Sequence, residues 1–214
     1  MAYSSPVGTA YYISETFASA KTISAVSNAN PAAATSTAHG YVDNDEVVFF
    51  SGWERANNGV FKVNQTATDN FEFLGLNSTS TTLYSAGSGT GTTQKISSWI
   101  ELPQILTIST QGGDPRYFDV RPIKLLQGLK LPDGFNPASI SWEFGWDPSL
   151  SNWATLLNIS RNNTLVAYKA VKGTSATYGY GYFAMSEQAN QQPGREDRGT
   201  FTFSAQGPLI SYSS

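Results

Sequence analysis

At 214 residues, with no cysteine and a formal net charge of -3, the chain excludes several classes at once. Disulfide stapling, thiol chemistry and Cys-containing zinc sites are ruled out, no stretch approaches the roughly 20 apolar residues of a membrane-spanning helix, and a charged content of 14% leaves no basic surface of the kind that grips nucleic acid. A hydrophobic content of 40% with 13% aromatics is enough for a packed core, the Ser, Thr, Asn and Gly bias favours strands and turns, and residues 1–19 lack a basic start followed by an apolar run, so a soluble protein without an export signal is expected.

Residues 1–8 read as a polar arm and 9–14 (TAYYIS) as the first strand. Short strand-like runs follow at 23–26, 46–50, 60–63, 71–74 and 83–84, separated by Asp-Asn and Asn-Asn-Gly turns, and this spacing predicts a small antiparallel barrel. Residues 85–93 (SAGSGTGTT) have the composition of a flexible linker. The expected organisation is an inserted barrel domain over 20–97, interrupting a second domain made of 1–19 and 98–214.

Beyond the insert, 96–102 and 104–110 read as strands split by Pro103, 111–115 (QGGDP) as a sharp turn and 116–120 as the return strand. Residues 121–137 lose any period. They hold three prolines and two glycines, with Ile123, Leu125, Leu126, Leu129, Leu131 and Phe135 beside Arg121 and Lys124. A loop so long and so apolar is uncommon unless functional, and it is expected to be an arm that packs on another subunit. The alternation of Ile140, Trp142 and Phe144 then predicts a half-buried strand. Asp147 as N-cap, Pro148 at the first helical position, and Leu150, Trp153, Ala154 and Leu157 at helical spacing predict a helix over about 148–159. Arg161 suits its C-terminal end, and Asn162-Asn163 can supply the left-handed residue that stops it. Three strands close the chain: 165–171, then 177–185 with Tyr178, Tyr180 and Tyr182 on one face, and 199–206 with Phe201 and Phe203 on one face.

The search for chemistry yields little. His39 is the only histidine, no Gly-x-Ser-x-Gly elbow occurs, and His39 reads as structural. The cluster Asp43, Asp45 and Glu46 lacks the ligand alternation of a calcium loop and reads as a solvated turn. Gly87, Gly89 and Gly91 are not followed by the Lys-Ser/Thr of a phosphate-binding loop. Glu143 and Asp147 among Trp142, Trp146 and Trp153 invite a sugar site, although capping explains Asp147 and core packing explains Trp142. Asn64, Asn77, Asn158 and Asn162 open glycosylation sequons that read as coincidental in so Ser/Thr-rich a chain. No catalytic residue, metal or cofactor is expected.

The order of these pieces resembles the tail tube (major tail) protein of long-tailed bacteriophages with non-contractile tails. Residues 9–16 and 99–214 carry the resemblance: the first strand, Trp99-Ile100-Glu101-Leu102 leading into 106–110, Gly112-Gly113-Asp114, a return strand, a long loop, the 139–143 strand, one helix, 166–170 and two closing strands. Within 20–97, Ala38-His39-Gly40, residues 47–53 (VVFFSGW) and Phe71-Glu72-Phe73 resemble an FCCH-like small barrel module of phage structural proteins. The resemblance implies a mainly β fold, a tail-tube-type β-sandwich or half-barrel with one helix. It further implies hexameric rings stacked into a tube, with 121–135 reaching the next ring, in a virion tail assembled in the host cytoplasm. Tape-measure, tail-terminator and tail-tip proteins are the implied partners, and the genome passes the lumen without sequence-specific binding. Neither an enzyme activity nor a membrane is implied. The overall shortage of basic residues, 13 Lys and Arg in 214, agrees with a lumen that does not hold DNA, although residues 99–214, with nine basic and nine acidic residues, are neutral rather than acidic. Two other readings stand beside it: a carbohydrate-binding or glycan-hydrolysing β-sandwich resting on the tryptophans and Glu143, and another virion component such as a tail terminator or a capsid decoration protein.

Overall fold

The computed structural model describes residues 7–124 and 126–213. β1 (Thr9–Ser14) is followed by β2 (Lys21–Ile23), β3 (Ala25–Val26), β4 (Ala32–Thr35), β5 (Glu46–Ser51), β6 (Gly59–Ala67), β7 (Asn70–Leu74) and β8 (Gly91–Lys95). Then come β9 (Ile100–Glu101), β10 (Ile105–Gln111), β11 (Pro115–Val120), β12 (Leu129–Phe135) and β13 (Ser139–Gly145). The helix α1 (Trp153–Arg161) and the strands β14 (Leu165–Lys172), β15 (Ser175–Met185), β16 (Arg198–Ala205) and β17 (Ile210–Tyr212) complete the described chain.

Strands β2 to β8 form one antiparallel sheet in the order β2-β8-β5-β6-β7-β4-β3. Its two ends, β2 and β3, are consecutive pieces of one segment, so the sheet closes on itself as a barrel, which removes its free edges. Alternate residues fill the interior: Phe49, Phe61, Phe71 and Phe73 are buried together with Trp53 and Tyr41. His39 is buried here too. Its Nδ1 accepts the Tyr41 N–H at 2.9 Å, which leaves the proton on Nε2 to be donated to the Ala67 carbonyl at 3.1 Å, so both ring nitrogens are satisfied structurally.

Three sequence expectations change in this barrel. The run 23–26 is two strands broken at Ser24, one turned to β8 and one to β4. Residues 83–84 are not a strand; Tyr84 packs edge-on against Trp53, whose indole N–H donates to the Ser85 carbonyl at 2.7 Å. Residues 85–93 are not a linker, because Gly91 begins β8, which lies between β2 and β5. Glycine is needed there for close approach: a Cβ on Gly91 would collide with the Phe50 carbonyl oxygen.

The remaining sheet runs β10-β13-β16-β15-β14-β1-β9, with β17 paired to β15. Tyr11 on β1 and Trp142 on β13 are four strands apart in that order, about 19 Å across a flat sheet at ~4.8 Å per strand. Their rings nevertheless stand 5.7 Å apart. The sheet therefore curls into a half-barrel, enclosing Trp142, Phe144, Tyr168, Phe183, Phe201 and Phe203.

The helix lies on this core but is shorter and later than its sequence pattern suggests. Asp147 accepts hydrogen bonds from the Ser149 N–H (3.0 Å) and hydroxyl (2.6 Å), which hold its carboxyl below its ordinary pKa. That local turn competes with helix entry, and Pro148 sits in it. The helix starts at Trp153 instead, with Asn152 at the cap position and no side-chain cap bond; the Asn152 amide ties the helix to the Glu101 carbonyl at 2.8 Å. Its fully buried residues are Leu156 and Ile159, with Trp153 and Leu157 at the core margin, Leu150 half-buried before the helix and Ala154 exposed. Arg161 does occupy the last turn, and Asn163 takes the left-handed conformation at φ +49°.

The outer face of the half-barrel packs on the closed barrel. Ala167, Tyr178 and Tyr180 meet Val48 and Val60, while Tyr182, beyond the contact, is exposed. Glu46 anchors the junction by accepting from Tyr178 Oη (2.6 Å), Lys169 Nζ (2.7 Å) and Trp99 Nε1 (2.6 Å). Tyr212 adds a second tie, donating to the Leu74 carbonyl at 2.7 Å and accepting the Lys62 N–H at 2.9 Å. The chain passes into and out of the barrel beside itself, through the Phe17↔Ile96 bridge.

Candidate assembly surface

One feature stands away from both barrels. The β10/β13 pair, in register from Ile105↔Phe144 to Gln111↔Ser139, continues as β11/β12 from Pro115↔Phe135 to Val120↔Leu129. Bonds from Gly113 N–H to the Asn136 carbonyl and from Asn136 N–H to the Asp114 carbonyl, each 2.9 Å, join the two pieces. Gly112 and Gly113, at φ +81° and +78°, form the bulge between them. The outcome is one long two-stranded ribbon. The stretch 121–137, expected as an irregular arm, is therefore a hairpin tip plus the strand β12. Pro132 and Gly134 obscured that strand in the sequence; they are tolerated because both strands of a two-stranded ribbon are edges.

The ribbon has an apolar side. Register places Phe118 opposite Leu131 and Val120 opposite Leu129 on one face, with Tyr117, Asp119, Lys130 and Pro132 on the other. Phe118, Leu129, Leu131 and Phe135 are all exposed, and at the tip Ile123 and Leu126 have no cover, flanked by exposed Arg121 and Lys124. Leu125 lies outside the described residues. An isolated hairpin is marginal in water and monomers rarely display this much clustered apolar surface, so the ribbon is built to be covered. Phe118 and Val120 escaped the sequence reading because their run was taken only as a return strand, although the alternation in RYFDV carried the signal.

The second element is the edge strand β10. Among the described residues it pairs with β13 alone, leaving a row of backbone N–H and C=O groups on its other side. Ile108, directly opposite Trp142, points to the core face yet is 40% exposed, so the core is open along this edge. The opposite face of the same strands is lined with hydroxyls. Register aligns Gln111, Ser139, Ser204 and Tyr182 in one row and Ser109, Ser141, Thr202 and Ala184 in the next. Thr107, Glu143 and Thr200 follow, and Glu143 is bonded to Thr107 Oγ1 (3.2 Å) and paired with Arg198 (3.1 Å).

Of the tryptophans near Glu143, Trp142 has no exposed surface and cannot stack on a sugar, while Trp153, at the start of the helix, is partly buried with its ring against those of Phe144 and Trp146. Trp146 is half-buried and lines an open cleft of about 410 Å³ at the start of β10, with Gln104, Ile105, Leu106, Glu196 and Asp197. Among the described residues, no three His, Asp or Glu side chains come together as a metal site would require.

A mainly β subunit with an uncovered edge strand and an uncovered apolar ribbon belongs to the class of assembling structural proteins. The sequence model of the family described as phage tail tube protein matches residues 51–214, well over half of the chain. No curated protein sequence matches. Among solved structures, the chain is similar to one in the virion of a native gene transfer agent particle, at 12% identity and TM-score 0.41, covering 54% of this chain and 89% of that one. It is similar to one in the tail of an empty gene transfer agent particle refined with sixfold helical symmetry, at 12% identity and TM-score 0.42, covering 54% and 87%. A chain of the sixfold-symmetrised baseplate of the anti-feeding prophage also matches, at 11% identity and TM-score 0.39, covering 55% and 86%. This chain belongs to the phage tail tube protein family and is a structural protein of the virion tail.

Proposed function

We propose that the chain acts by self-assembly alone, with no catalysis: six copies close a ring head to tail, each setting its β10 edge against a different edge of the next copy, and rings stack through the ribbon into the tube that the genome traverses. The observation that carries this reading is the ribbon, whose apolar face is left exposed by the described residues of the chain. Burying a large apolar side chain contributes about 1.5–3 kcal/mol, so a few of these residues suffice to hold a ring contact. Candidate stacking residues are Arg121, Ile123, Lys124, Leu126, Leu129, Leu131 and Phe135 from the sequence reading, to which the register adds Phe118 and Val120.

The hydroxyl face of β10, β13, β16 and β15 suits the channel wall. It holds few charges, and Glu143 is neutralised by Arg198, so it neither repels a polyanion strongly nor releases counterions to bind it. Residues 20–97 sit on the outer face of the half-barrel as an inserted domain, with 1–19 and 98–214 as the tube-forming domain. Tape-measure, terminator and tip proteins would cap the ends, as partners of the same surfaces.

Electron microscopy of the purified chain tests the reading. Stacked sixfold rings are expected; particles that stay monomeric in every condition, and absence of the chain from isolated tails, would refute it. Because the chain has no cysteine, single substitutions test the wall: Thr202→Cys in tubes should react with a small maleimide but resist a polymer-linked one. Equal reaction with both would place that face outside.

A further inference from the structure

We infer that the Trp146 cleft is the socket for the hairpin tip of a second copy in the adjacent ring. This rests on the reading that the ribbon mediates stacking, and it names the receiving surface. The cleft lies where β10 begins and β13 ends, and the tip lies at the far end of the same ribbon. About fifteen residues separate them along the strand, roughly 50 Å at ~3.3 Å per residue. No chain can fill its own socket over that distance. A unit carrying a plug at one end and a socket at the other makes a head-to-tail contact that does not close, which is the geometry of an axial stack.

The chemistry of plug and socket is paired in both of its parts. Ile123 and Leu126 are bare at the tip, and Ile105, Leu106 and Trp146 give the cleft apolar walls; about 410 Å³ is room for two aliphatic side chains. Arg121 and Lys124 flank the tip, while the cleft is lined by Asp197 and by Glu196, the latter paired with Arg198, so Asp197 is the acidic group set against the tip. Apolar insertion supplies the adhesion, and the cationic tip against an acidic rim selects which end of a ring meets which. Tip-to-tip pairing of two ribbons is disfavoured, since like charges would meet.

Assembly of charge-reversed full-length chains tests the pairing, followed by microscopy and sedimentation. Lys124→Glu alone and Asp197→Lys alone should each leave folded rings but reduce the tube fraction at least tenfold. Mixed together, the two variant proteins should form alternating tubes, since each reversed group meets its opposite in the other copy. The chain carrying both changes should also form tubes. Such rescue cannot arise from misfolding. Single variants that stack like the unaltered chain, or folded single-variant rings that fail to recover on mixing, would overturn the socket. An unaltered chain that never stacks would instead overturn the stacking reading beneath it.

Discussion

The half-barrel carries two apolar surfaces and treats them oppositely. On its outer face, Tyr178, Tyr180 and Ala167 are covered by Val48 and Val60 of the closed barrel, and Glu46 accepts from Tyr178, Lys169 and Trp99 at the seam. On the ribbon, Phe118, Leu129 and Leu131 have comparable apolar bulk and nothing over them. The first surface contributes to the stability of one subunit. The second contributes nothing of the kind to a lone subunit. Apolar surface thus tells function only when its cover is traced.

The contrast can be broken at its strongest point by Tyr178→Ala, which empties a buried ring site and removes one of the three donors to Glu46. Loss of about 3–5 kcal/mol is expected by urea denaturation of the isolated subunit. Glu46→Gln keeps the shape but removes the charge facing Lys169 at 2.7 Å; a smaller loss of about 1–3 kcal/mol is expected, since the pair is only partly buried. The junction tyrosines also give a pH signature. Burial pushes Tyr212 up to about 12 and Tyr178 further in the same direction, the latter with help from Glu46. A raised pKa means that the stabilisation is whole below the ordinary tyrosine value of 10.0 and is lost as pH rises through the folded value. Urea midpoints should therefore fall between about pH 10 and 12, and Tyr212→Phe should flatten part of that slope. The smallest effect on the subunit is expected on the ribbon. Phe118→Thr with Leu131→Thr, a cross-strand pair that suits a strand, should move stability by no more than about 0.5 kcal/mol while abolishing tubes. A large loss of subunit stability there would erase the distinction between the two surfaces.

Sequence patterning disclosed the parts of the molecule whose burial is local. β1, β13 and β16 read correctly because one face of each is core and the other wet, so alternation is visible in Ile140, Trp142, Phe144 and in Phe201, Phe203. It failed where long-range neighbours decide. Gly91 has the composition of a linker but fits against the Phe50 carbonyl, and a neighbouring strand is invisible to local composition. Asp147 has the residue type of a cap but is satisfied by Ser149 two positions on, which moved the helix start to Trp153. The exposed apolar surface of the ribbon was half legible. The leucines of 121–137 stand out in the sequence, but their regular strand pairing is hidden by Pro132 and Gly134, and the Trp146 cleft joins residues from three separate segments that no single window contains.

The Phe17↔Ile96 bridge has a mechanical consequence. Because the chain leaves for the closed barrel and returns at one paired point, the barrel is a side branch rather than a link. In the proposed tube, tension passed between copies through β10 and the ribbon would run along the half-barrel strands and bypass it. Such a tube, flexing under load, would strain its seams while the closed barrels ride along unstretched, free to differ in size without altering the spacing of the rings.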